Sequence, residues 1–287
     1  MRTTRRCNPA YRTVTLTNLD GSGYLQGDWA NVRSNTGKAA FSSTNSFLYT
    51  RDDDRFEQVM AYYWVTTAQT YIQSLGFGLA RRPVNEQSQD IRIDQIGIDN
   101  SYSWDKHDVV RFGKGGVDDA EDAEDAEVIL HEYGHAIQEW QQPDGTFGTS
   151  AEAGSIGEGF GDYWAATVSN VFAPTPDPAC IADRDSVSYT RDVPHCLRRV
   201  DEDLHYPADL SGEVHHDGQI WSRALWDIRG ALGHVKADTR ILEAQFSFAP
   251  DTSMPAAASA TVAAARSLYG NSAANATRGA FEDRGIL

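Results

Sequence analysis

A chain of 287 residues, 40% hydrophobic and 23% charged, has enough apolar content to bury a core as one large domain or two packed lobes, which excludes a disordered chain. It carries 41 acidic against 25 basic residues, a formal net charge of -16; such a surface repels phosphate backbones and argues against a nucleic-acid partner. No apolar run approaches the ~18 residues of a membrane span, and the charge fits a secreted protein or one that binds cations.

The N-terminal MRTTRRCNPAYR is basic but has no apolar stretch behind it, so it does not read as a secretory signal. The chain is therefore either cytoplasmic or the processed part of a longer precursor. Residues 1–50, rich in Thr, Ser, Asn and Gly, read as short strands and turns. Over 52–76 the pattern changes. Phe56, Val59, Met60, Tyr63, Trp64, Tyr71, Ile72 and Leu75 recur at helical spacing, with Asp52–Asp54 suited to the N-terminal end and Gly76 to the stop. This aromatic stripe is core-like. Residues 90–99, DIRIDQIGID, alternate as a strand does, and 100–116 read as strand, turn and strand closed by glycines. The acidic run VDDAEDAEDAE then reads as a solvated face that also leads into a helix, whose positive dipole end favours carboxylates.

Beyond residue 126 the pattern is helical, with helices expected near 126–141, 156–170, 214–232, 237–247, 255–269 and 273–284. The irregular segment 173–212 carries Cys180 and Cys196 in a Pro- and Asp-rich loop. Such a loop offers little core for a buried thiol, so a disulfide is expected there, with two free thiols as the alternative. Its closure of a 16-residue loop is worth about 3 kcal/mol in the chain-entropy model. Cys7 is left over. Strands first and helices afterwards make the fold class α+β.

The stretch Ala126–Trp140 contains His131, Glu132 and His135 in the spacing H-E-x-x-H. Residues four apart on a helix lie on one face, about 40° from each other. Both imidazoles can then meet one ion, while Glu132 is rotated away and can lean toward a water bound there. A surface helix that happens to carry two histidines is the plain alternative. Further on, SIGEGFGDYWAATVSN places Glu158 and Asp162 four apart, 23 and 27 residues beyond His135. That leaves room for a loop and an antiparallel return helix. Glu158 can complete a His2Glu site, and Asp162 can accept from the outer nitrogen of a ligand histidine. Gly157, Gly159 and Gly161 weaken a helix, and make sense where two helices approach closely. In GEVHHDGQIW a histidine at the start of a helix could donate to a developing oxyanion, with a plain surface His-His pair as the alternative.

HEYGH at 131–135, GEGFGD at 157–162 and EVHHDGQIW at 213–221 together resemble the gluzincin zinc metallopeptidases, thermolysin-like and closer still to fungalysin-like. The resemblance covers nearly all of the chain from about residue 50. It implies two lobes with the active-site cleft between them. Residues 1–142 would form an N-terminal α/β lobe with a mixed sheet, ending in the HExxH helix, and 143–287 a mainly helical lobe. It implies one catalytic Zn²⁺ held by His131, His135 and Glu158, with Glu132 as general base and Asp162 as the outer partner of His131. His215, three before Gly218, matches the transition-state histidine, and His216 falls at a variable position. Asn100 and the backbone of Ser101 match the edge strand that holds an extended substrate.

Thr149 stands where thermolysin-like enzymes carry an assisting tyrosine, which leaves the oxyanion to zinc and His215. Ser169 stands where a calcium-site acid belongs, while the acidic run 118–127 could bind calcium by another route. The expected activity is that of a secreted, monomeric endopeptidase acting on proteins and peptides. An aminopeptidase and a non-catalytic zinc-stabilised binding module are the rival readings.

Overall fold

The computed structural model describes residues 11–34, 37–104, 107–115, 121–142 and 145–287. Cys7 and the start of the acidic run lie outside them. The N-terminal half is organised by a four-stranded sheet of β1 (Ala30–Ser34), β2 (Gln89–Ile96), β3 (Tyr102–Trp104) and β4 (Val109–Gly113), in the order β1-β2-β4-β3. β1 and β4 run parallel to β2, and β3 runs antiparallel to β4, so the sheet is mixed and β3 is an edge. Alternation places Ile91 and Ile93 in the core, as a half-buried strand requires. The register slips between Arg92 and Ile96, where Asp94 takes a positive φ of 57°.

Helix α1 (Arg55–Ser74) packs on this sheet and stops where Gly76 turns left-handed at φ 96°. Of the apolar pattern, Trp64, Tyr71, Ile72 and Leu75 are buried as expected, alongside Ala61, Tyr62, Val65 and Ala68, whereas Phe56, Val59, Met60 and Tyr63 are only partly so. The buried face begins with two polar residues, Glu57 and Gln58, which apolar periodicity cannot register.

The C-terminal half is helical: α2 (Ala126–Trp140), α3 (Ala151–Phe172), α4 (Val214–Leu232), α5 (His234–Gln245) and α6 (Met254–Glu282). Helix α2 touches α1, β3 and β4 on one side and α3 on the other, and α3 is covered in turn by α4. The two C-terminal helices of the sequence pattern are the arms of α6, broken at Gly270 (φ 80°). Asp238 of α5 accepts hydrogen bonds from Tyr71 of α1 and Tyr163 of α3, both at 2.5 Å, fixing α3 at its far end. Between α3 and α4, the short strands β5 (Cys180–Ile181) and β6 (Arg198–Arg199) pair antiparallel, and a Cys180–Cys196 disulfide closes the loop. Among the described residues no helix is long and apolar enough to cross a membrane.

The acidic run differs from the solvated face expected of it. Asp122, Glu124, Asp125 and Glu127 are all less than a tenth exposed. Glu124 pairs with Arg51 and Arg184 at 2.9 and 2.8 Å. Asp125 caps α2 by accepting from the Glu127 N–H. Glu127 accepts from Ser169 Oγ at 3.0 Å and from the Ala182 N–H at 2.9 Å. Protein donors thus occupy the carboxylate at the place where the resemblance puts a calcium site.

Candidate active site

Helix α2 begins at Asp125, whose extended backbone and side-chain cap stop the preceding turn. One helical turn separates His131 from His135, so both rings leave the same face. Across from them runs α3, which starts five residues earlier than its apolar pattern suggests because Ser150 caps it by accepting from the Ala153 N–H. Glu158 and Asp162 are therefore mid-helix residues, not acids at a helix start. Gly157 lies against the His135 ring and Gly161 against the His131 ring, so α3 runs antiparallel to α2. A Cβ at Gly161 would stand 2.8 Å from His131, and Gly134 faces the Gly161 Cα. A Cβ at Gly159 would strike the Gly218 carbonyl of α4. The glycines of GEGFGD thus let α3 sit close to two helices at once.

This close approach brings His131, His135 and Glu158 together. The His131 and His135 Nε2 atoms are 3.1 Å apart, and Glu158 oxygens lie 3.2 Å from the first and 3.6 Å from the second. Two imidazoles on one tetrahedral zinc, at 2.0–2.1 Å each, would be about 3.3 Å apart. Among the described residues, buried Glu158 Oε2 has no hydrogen-bond partner of good geometry, an acceptor aimed into the cluster. Although burial opposes it, His135 and His131 hold the Glu158 carboxyl well below the usual carboxylate range. The donor set, its spacing and this acceptor fit a zinc ion.

Asp162 Oδ1 lies 2.9 Å from His131 Nδ1, which turns Nε2 toward the cluster. Arg198 grips the same carboxylate at 2.7 and 2.8 Å. Against the desolvation of full burial, Arg198 and His131 bring Asp162 down to about 2. Sequence reasoning missed Arg198, which lies in the irregular segment. The disulfide two residues before it and the β5–β6 pairing were the available signal. Glu132 is 7% exposed, takes a backbone N–H from Ser103, and is lifted by burial to about 7.

From the other side Glu213 caps α4, accepting from the His215 and His216 N–H groups. Its carboxylate holds His215 Nδ1 at 2.6 Å, and His215 Nε2 comes to 3.4 Å from Glu158. His216 turns to Asp217 instead. His131, Glu132, His135, Glu158, Arg198 and His215 line a cleft of about 470 Å³, along with Asn100, Ser101 and Ser103. Asn100 and Ser101 sit just ahead of edge strand β3, and Ser101 Oγ donates to Asp122 at 2.6 Å. Tyr133, buried, donates to Gln69. Thr149 is tied through its N–H to the Pro250 carbonyl.

The sheet-plus-helices fold and the His2Glu cluster in the cleft define the class as zinc metallopeptidase, of thermolysin-like architecture. Within it, the chain belongs to the fungalysin metallopeptidase family, whose model matches residues 16–237. Among solved structures it is similar to the precursor of protealysin, a metalloproteinase from Serratia proteamaculans. The TM-score is 0.68 at 15% identity, covering 95% of this chain and 92% of that one. No curated protein matches it in sequence.

Proposed function

We propose that the chain is a secreted zinc endopeptidase that hydrolyses internal peptide bonds of proteins and acts as a monomer, with residues 1–142 and 143–287 as the two lobes of one catalytic unit. The observation that carries this reading is Glu132, buried on the cleft wall beside the His131–His135–Glu158 cluster with His215 opposite. A purely structural zinc site has no use for that carboxylate. Peptidases of this family are generally extracellular, which supports secretion.

On this reading His131, His135 and Glu158 hold the ion. When bound, zinc supplies a Lewis acid that activates water and polarises the scissile carbonyl. Glu132 takes the proton of the attacking water and passes it to the leaving amine. His215, anchored at Nδ1 by Glu213, donates from Nε2 to the oxygen on which charge develops. Asp162, held by Arg198, keeps the His131 tautomer that leaves Nε2 free for the ion. An extended peptide lies along the open edge of β3, next to Asn100 and Ser101.

The test is an N-acetylated, internally quenched peptide. The expected result is cleavage at an internal bond, abolished by phenanthroline and restored by zinc. Turnover of free peptides only, from their N-termini, would establish an aminopeptidase instead.

A further inference from the structure

A second cluster of metal-ligating groups lies away from the cleft, where the first turn of α1 meets the sheet. Glu57 is 1% exposed there, and among the described residues neither of its carboxylate oxygens has a hydrogen-bond partner. The adjacent Gln58 shows what a satisfied polar group in this position looks like. Its Oε1 accepts from the Ala40 N–H at 2.8 Å and its Nε2 donates to the Lys38 carbonyl at 3.1 Å. Glu57 instead faces Asp94 of β2 and Glu121, with ligand atoms of all three within 4.8 Å of one another. The register slip in β2 is what turns Asp94 to this place. Arg51 and Arg184 pair with Glu124, and Arg55 in the same turn of α1 pairs with Asp53.

We propose that Glu57, Asp94 and Glu121 hold a calcium ion that ties the first turn of α1 to β2 and to the segment leading into α2. A buried carboxylate without a donor costs several kcal/mol unless it is paired, protonated or bound to a metal. The neighbouring carboxylates of Glu121 and Asp94 oppose the ionisation of Glu57. The donors are all oxygens, which suits calcium and not zinc. Calcium binds its oxygens at 2.3–2.6 Å, so two ligands of one ion stand at most about 5 Å apart, and the cluster lies within that span. Burial, and next the Glu121 carboxylate, raise the Glu57 pKa far above its usual value, so in calcium-free protein Glu57 is neutral and the ion has only a proton to displace. The site differs from the place where thermolysin-like enzymes carry calcium, which Ser169 and the Ala182 N–H fill here. It also differs from the Asp99–Asp122–Asp185 group, where Ser101, Gly113 and Ser188 already donate to the carboxylates. Through Glu121 the ion would brace the turn on which the catalytic helix is capped.

The test uses zinc-loaded protein freed of calcium. Thermal unfolding is followed as CaCl2 is added, with zinc content measured in parallel. Wild type is expected to gain on the order of 5 °C in Tm, saturably. Glu57→Gln and Asp94→Asn are expected to keep their zinc and lose the shift. Asp122→Asn is expected to retain it. In calcium-free buffer Glu57→Gln should melt no lower than wild type, because a neutral amide replaces a buried carboxyl; this shows that the variant folds. An unmoved wild type, an equal shift in Glu57→Gln, loss of the shift in Asp122→Asn only, or the same shift from MgCl2 would each overturn the proposal. A chain that failed to bind zinc would leave this result intact, so the two metal assignments fail separately.

Discussion

Replacing Gly161 with alanine sets two measurable effects against each other. A mid-helix Gly→Ala change ordinarily gains up to about 1 kcal/mol through helix propensity. At Gly161, however, the new methyl would stand 2.8 Å from Cε1 and Nδ1 of His131. The ring has little freedom to retreat, because Asp162 holds Nδ1 at 2.9 Å and Arg198 holds Asp162. Overpacking of a closed interface costs about 1–3 kcal/mol. With the full propensity gain set against it, the clash leaves a net loss of up to about 2 kcal/mol. Since the displaced ring is a proposed zinc ligand, metal affinity should fall by roughly 10–100-fold, as when an outer partner is disturbed. Gly279→Ala is the control. It lies in α6 with nothing within 4 Å of an added Cβ, and should gain about 0.5–1 kcal/mol. Thermal unfolding and zinc competition with a chromogenic chelator read both effects. If Gly161→Ala were as stabilising as Gly279→Ala and kept full zinc affinity, the idea that glycine sets the α2–α3 spacing at the site would be wrong.

His215→Ala should lower kcat about 10²–10³-fold with little change in KM, the usual cost of one oxyanion donor; steady-state kinetics on the quenched peptide checks it. Arg198→Met leaves Asp162 buried without its cation and should cost about 3–5 kcal/mol, read by urea unfolding. The double change Cys180→Ser and Cys196→Ser should cost about 3 kcal/mol from the 16-residue loop and reduce activity further by loosening Arg198 in β6. Burial, with Asp125 alongside, lifts the Glu127 carboxyl to about 8. The folded protein therefore holds that proton more tightly than the unfolded chain. The stability it contributes is complete below the ordinary value of 4.5 and is lost as pH rises through about 8. Glu127→Gln should flatten the fall in Tm between about pH 5 and 8, and an unchanged pH profile would contradict this.

The parts legible in the sequence were those set by local spacing. His131 and His135 share a helix face because four residues make about one turn, and GEGFGD announced a close helix crossing because glycines are costly anywhere else. The antiparallel return of α3 and the disulfide followed from spacing and composition, while the mixed sheet came only from the family resemblance. What escaped was set by tertiary partners. Arg198 reaches Asp162 from an irregular segment whose conformation has no periodicity to read. Glu57 is an acid on the buried face of α1, where apolar spacing cannot register it. The acidic run reads as solvated until Arg51, Arg184, Ser169 and backbone amides arrive from distant parts of the chain to satisfy it. Helix starts shifted for a related reason: α3 begins at a serine cap, five residues before its apolar pattern does.

The central claim is that the His131–His135–Glu158 cluster holds a catalytic zinc served by Glu132. Glu132→Gln tests it most directly, with metal content and casein hydrolysis measured on the same preparations of wild type and variant. The account predicts one equivalent of zinc in both and hydrolysis by wild type only, reduced in the variant by several orders of magnitude. Casein cleavage by Glu132→Gln at near the wild-type rate, with zinc retained, would contradict it.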